Sequence, residues 1–227
     1  MTMTSFHPQT VSQFIDILAA LILVTAFLIV SSRSLTFYVR LFALQSFLLG
    51  GVASLVALGY GETHILLAAI LTIAVKGIAI PLVLSKVIER IRIQKEVNFT
   101  INITMSLLIC GALVILADSV AEPIYEMQHT TILPVSRVLP SSIAVMLIGL
   151  FIMTTRKKAV TQLVGLLTME NGLFLSGLSI TYGMPLIVEV GIFFDILVAA
   201  LILGLFIFRI NQTFETINMD TLRSLRH

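Results

Sequence analysis

Apolar residues in this chain come in long runs rather than in the alternating pattern of strands or the narrow stripes of soluble helices, and each run closes on a short polar or basic stretch. The runs cover about residues 11–30, 35–58, 64–84, 99–117, 140–153, 159–180 and 186–208. The fifth is short and is expected to begin earlier, near Ile132. Most approach the roughly 20 residues that cross a bilayer core as a helix. Lipid offers no partner to an open backbone group, so helices satisfy what strands with free edges would not. The pattern predicts an all-α, polytopic membrane bundle of about seven transmembrane helices. Residues 1–9 are polar and lack the basic start of a signal peptide, so the first run reads as a span.

Composition points to the same class. Of 227 residues, 58% are hydrophobic and 11% charged, with a mean hydropathy of +1.06; a soluble surface needs far more charge. The net charge of +2 is too small for a nucleic-acid partner. The single cysteine, Cys110, has no partner for an internal disulfide, and one thiol holds neither a structural zinc nor an iron–sulfur cluster. His7, His64, His129 and His227 are outside the apolar runs or at their ends, so no intramembrane histidine pair is available to haem. No cofactor, metal site or catalytic residue is expected in this chain.

Basic residues set an expected orientation. Arg33 and Arg40, then Lys86, Arg90, Arg92 and Lys95, then Arg156, Lys157 and Lys158, and finally Arg209, Arg223 and Arg226 share one side, twelve of the 14 in all. That side reads as cytoplasmic, with the N-terminus outside and the C-terminus inside a cell (inner) membrane. The outer connection 118–139 carries Asp118, Glu122 and Glu126 with Pro123 and Pro134, and reads as an acidic loop, either a lid or simply solvated. The inner connection 85–98 alternates charges with Ile88, Ile91, Ile93 and Val97, as an amphipathic continuation of the third helix would.

Spans two to three and six to seven match at an offset of 122 residues, which aligns Tyr60-Gly61 with Tyr182-Gly183. This suggests a parallel repeat of a three-helix module. The implied division is a first module over 1–98, a linking helix and acidic loop over 99–131, and a second module with a cytoplasmic tail over 132–227.

Against this apolar background the ionisable residues stand out. Glu170 and Asp195 each lie about ten residues into a span, near mid-membrane at about 1.5 Å per residue. A carboxylate there costs about 2.5–3.5 kcal/mol on insertion scales, so it is expected to face the bundle interior. If neighbouring helices bring the two together, one is expected to hold a proton, as a relay requires. The alternative is that both bond to Asn171 or a hydroxyl and only lock helices. Lys76 balances one of these charges or forms its own relay station, beside a kink at Pro81, which cannot donate to the Gly77 carbonyl. Glu189, near the outer end of the last span, either joins the path or reaches headgroups. Asp16 reads as interfacial, and Gln45 as a supporting polar group.

The segments Arg40-Leu41-Phe42-Ala43-Leu44-Gln45-Ser46, Lys76 with Ile80-Pro81, Met169-Glu170-Asn171-Gly172 and Phe208-Arg209-Ile210-Asn211-Gln212-Thr213-Phe214 resemble hydrogenase-4 component E. The last third, with Arg156–Lys158, Gly165-Leu166, Asn171, Asp195 and Ile217-Asn218-Met219-Asp220, is also similar to the small K subunit of respiratory complex I. In that subunit two glutamates of adjacent helices belong to a proton path. Asp195 matches the second; at the first this chain has Leu167, with Glu170 about one turn on. The resemblance implies a non-catalytic membrane subunit of an energy-converting, complex-I-like hydrogenase or formate hydrogenlyase. It would lie between a cytoplasmic hydrophilic arm and antiporter-like and quinone-site-like membrane subunits. Nickel–iron and iron–sulfur centres would belong to those partners. The competing readings are a subunit of a multi-subunit cation/proton antiporter and a purely structural membrane linker.

Overall fold

The computed structural model of the chain describes residues 8–60, 63–90, 101–127 and 138–181. Among them there is no β-sheet. The elements are α1 (Pro8–Ser31), α2 (Leu35–Tyr60), α3 (Thr63–Thr72), a π-helical segment (Ile73–Ala79), α4 (Ile80–Arg90), α5 (Ile103–Met127), α6 (Leu139–Thr155) and α7 (Ala159–Thr181). The third expected span is thus one run of helix, α3 to α4, with a widened middle.

Among the described residues, four helical stretches are long and apolar enough to cross a membrane: Thr10–Ser31, Leu35–Gly59, Ile65–Lys86 and Ile103–Pro123. The apolar helix α6 is shorter, and α7 has the length but carries Gln162, Glu170 and Asn171. The seventh expected span, and with it the last helix of the second copy of the repeat, lies outside the described residues, as does the start of the fifth span at Ile132.

The packing is what lipid-covered helices require. Along α1, Ile15, Ala19, Ile22, Ala26 and Ile29 are buried, while Phe14, Ile17, Leu21, Val24 and Leu28 are exposed at the same three- and four-residue spacing. A helix apolar on both faces has no solvated side. Water over that outer stripe would cost roughly 25 cal/mol per Å², so the chain is a membrane protein. Helix α2 is the centre, touching α1, α3, the π segment, α4 and α7. The tightest pairing joins α6 and α7. There, a Cβ on Gly149 would lie 2.6 Å from Met169 Cα and 2.8 Å from the Gly165 carbonyl oxygen, so backbone meets backbone.

Two expectations about connections change. Asp118, Glu122 and Pro123 belong to helix α5, which continues to Met127, and are not in a loop. Charge signals solvent, not loss of helix: Asp118 and Glu122 are one turn apart on an exposed helix end. Beyond the π segment, α4 is amphipathic as expected, burying Ile80, Leu84 and Ile88 and exposing Lys86 and Glu89; residues 91–98 lie outside the described residues.

Charge counting also treats Arg156, Lys157 and Lys158 alike, yet Lys157 is exposed and Arg156 fully buried. Arg156 Nε donates to Tyr38 Oη at 3.1 Å, and Nη2 donates to the Val30 carbonyl at 2.8 Å. Val30 lies in the last turn of α1, where carbonyls lack intrahelical donors and carry partial negative charge. The guanidinium therefore ties the α6–α7 turn to the ends of α1 and α2. Arg156→Ala is expected to cost about 3 kcal/mol through lost packing and unpaired acceptors. Arg156→Lys should recover little, because one nitrogen does not reproduce the separate Nε and Nη2 positions from which the guanidinium reaches its two acceptors. Circular dichroism melting of the purified chain in detergent measures both.

Candidate functional site

Lys76 sits in the middle of the π segment, where the sequence gives the backbone a reason to widen. Pro81 has no N–H, and in a continuous α-helix its ring would clash with the Gly77 carbonyl. The helix takes up one extra residue per turn just before it. The N–H of Ile80, the residue that follows the segment, donates to the Val75 carbonyl, five residues back. Such widened turns recur at functional sites. Gly50 on α2 allows the segment to approach: a Cβ there would lie 2.8 Å from Ile73 Cδ1. Lys76 and Gly77 are buried in the result.

On α7, Glu170 and Asn171 face the same interior. Lys76 Nζ lies 2.8 Å from Glu170 Oε1, and the two side chains are 2% and 4% exposed. This ion pair is shut off from solvent, and its depth forces the partners together: each charge alone would be far costlier than the pair. Lys76 Nζ also donates to Asn171 Oδ1 at 3.3 Å. Asn171 Nδ2 donates to Gln45 Oε1 at 3.2 Å and, more weakly, to Ser46 Oγ at 3.5 Å. Gln45 Nε2 in turn donates to the Ile22 carbonyl of α1 at 3.3 Å. One polar chain thus crosses from α1 through α2 and α7 to the π segment and returns to α7 at Glu170.

Of the residues singled out in the sequence, Lys76, Glu170, Asn171 and Gln45 come together here. The pairing makes Lys76 a counter-charge to Glu170, one of the two roles expected of it. Asp195 and Glu189 lie outside the described residues. Asp16 is half-buried on α1. Ser46 was not singled out for a role, although a Gln-Ser pair in the middle of an apolar span was a visible signal. The contribution of the Ile22 carbonyl had no signal at all, because a backbone acceptor looks the same at every residue.

What the arrangement can do is limited and specific. Lys76 and Glu170 are a proton donor and a proton acceptor in contact, in a water-poor setting where electrostatic coupling is strong. Among the described residues no group of three or more histidine, cysteine or carboxylate side chains could hold a metal ion.

No family model matches the chain, and no solved structure matches it either. The uncharacterized protein Rv0085 of Mycobacterium tuberculosis is 31% identical over 216 residues, covering 95% of this chain and 97% of that protein. Hydrogenase-4 component E of Escherichia coli K12 is 23% identical over 218 residues, covering 96% of this chain and all of that protein. The protein of the same name from Shigella flexneri matches to the same extent.

Proposed function

The chain belongs to the family of the mycobacterial protein Rv0085, and from that premise we propose that it is a membrane subunit of a hydrogenase-type complex that helps move protons through the bilayer. The full-length similarity to hydrogenase-4 component E supports the assembly. The observation that carries the chemistry is the buried Lys76–Glu170 pair. Transfer is a single exchange: an N–H bond of the Lys76 ammonium breaks, an O–H bond forms on Glu170, and a charged pair becomes a neutral one. Reversal restores the charges. Both states avoid a lone charge in a low dielectric, which is what a relay station needs. Asp195 and Glu189 extend this path in the proposal on the strength of the sequence alone. So do the seven-span count, the outside N-terminus, the repeat, and the K-subunit-like character of the last third. Electron transfer, with its nickel–iron and iron–sulfur centres, is assigned to partner subunits.

A structural linker is the competing reading, and the same polar chain favours it to a degree, since it joins α1, α2, α7 and the π segment. The two readings part on turnover. The complex would be purified from its native membrane with this chain as bait, its co-purifying subunits identified, and the assembly reconstituted in vesicles. In normally assembled complex, Glu170→Gln and Asp195→Asn are each expected to lower proton uptake roughly a hundredfold or more, the low end for loss of a positioned proton-transfer group. Uptake at the wild-type rate would reduce the subunit to a linker. Recovery of the bait without any redox subunit would remove the hydrogenase assignment.

A further inference from the structure

We propose that Gln45 and Asn171 are positioning residues that hold the Lys76 ammonium against Glu170 through a hydrogen-bond chain with only one permitted direction. The inference deepens the proton-path reading and rests on the same ion pair, but it can fail separately.

The direction follows from what each end of the chain is able to do. The Ile22 carbonyl can only accept; it takes Thr25 Oγ1 at 2.6 Å as well as Gln45 Nε2 at 3.3 Å. Gln45 must therefore turn its amino group toward α1, which leaves Oε1 facing α7. An oxygen at that place requires a donor, so Asn171 must present Nδ2 to it, at 3.2 Å. Ser46 favours the same orientation through a longer contact that does not hold it alone. Its hydroxyl proton goes to the Phe42 carbonyl at 3.0 Å, so its lone pairs face Asn171 Nδ2 at 3.5 Å. With Nδ2 committed to two acceptors, Asn171 has its Oδ1 left for Lys76, at 3.3 Å. Amide orientations are assigned from such networks, and here Gln45 sets the answer with which the longer Ser46 contact agrees.

Reversing Asn171 would set its amino group against the ammonium and its oxygen against Gln45 Oε1, two repulsions in a buried site. The chain thus directs a carbonyl dipole at Lys76 that Lys76 did not have to organise, and neighbouring hydrogen bonds polarise one another in the same direction. Neither amide takes up a proton near neutral pH. In Asn171 Oδ1, then, the ammonium has a fixed acceptor for a hydrogen bond that does not take its proton.

The test uses the full-length chain in lipid nanodiscs at neutral pH. Infrared spectroscopy reads the carboxylic-acid carbonyl stretch of Glu170, identified by its loss in Glu170→Gln. Asn171→Leu removes the acceptor beside Lys76 and is expected to increase that acid band roughly tenfold or more, the equivalent of one charge-assisted hydrogen bond. Gln45→Met never touches Lys76, yet is expected to shift the band in the same direction by releasing Asn171 to rotate. The double variant should go no further than Asn171→Leu alone, because both act through one chain. Asn171→Ser replaces Asn171→Leu if the latter does not fold by circular dichroism. An acid band unchanged from wild type in Gln45→Met overturns the proposal, whatever Asn171→Leu does. Band shifts as expected, with proton uptake unaffected by Glu170→Gln, would leave this inference standing and remove the transport reading; the reverse result would remove only this one.

Discussion

Lys76→Leu is expected to destabilise the chain by about 3–5 kcal/mol, because it leaves the buried Glu170 carboxylate without the ammonium that lies 2.8 Å from it. Breaking such a pair from one side costs more than removing it altogether. Lys76→Leu combined with Glu170→Leu should therefore recover most of the loss, since two apolar side chains fill the space without an uncompensated charge. Lys76→Arg is a sharper probe. It keeps the charge but spreads it over a planar fork, which does not fit a site built around one nitrogen with an oxygen on either side. Melting in detergent, followed by circular dichroism, ranks the variants: wild type, then the double leucine, then Lys76→Arg or Lys76→Leu. A single leucine variant as stable as wild type would mean that the pair is not held away from water.

Gly149→Ala is the second large effect, and its sign is the informative part. In an exposed helix the change would stabilise by about 1 kcal/mol. Here a Cβ would lie 2.6 Å from Met169 Cα and 2.8 Å from the Gly165 carbonyl oxygen. Those atoms are backbone and cannot rotate aside, so the helices must separate, at about 1–3 kcal/mol. Met169 directly precedes Glu170, so the separation also displaces the ion pair. Gly111→Ala on α5 is the control: nothing lies within 4 Å of a Cβ there, and the same substitution should be neutral or mildly stabilising. Parallel melting curves of the two variants decide whether the α6–α7 seam is as close as described.

The helices were legible because their ends coincide with changes of solvent. The first, second and sixth apolar runs lie within α1, α2 and α7, which extend them by three residues or fewer at each end. The polar members of the site were legible for the same reason, as groups out of place among apolar neighbours. Their partnership was not. Lys76 and Asn171 are 95 residues apart in the chain, and only the packing of α2 against both α7 and the π segment brings them together. No spacing rule encodes that. Nor did charge counting separate Arg156 from Lys157, since the distinction depends on a Val30 carbonyl and a Tyr38 hydroxyl supplied by other helices. The acidic end of α5 was misread because charge reports contact with water and is silent on backbone conformation.

Lys76 is synthesised well before Glu170, and the pair exists only once α7 has entered the membrane. Until then the helix α3 to α4 carries a lysine at depth with no counter-charge, a burden of about 2.5–3.5 kcal/mol on insertion scales. That helix is therefore expected to be held back, at the translocon or shallow in the bilayer, in chains truncated before α7, which the accessibility of a cysteine placed beside Lys76 in such truncations would measure. On this expectation a helix added late in synthesis completes the placement of one made much earlier.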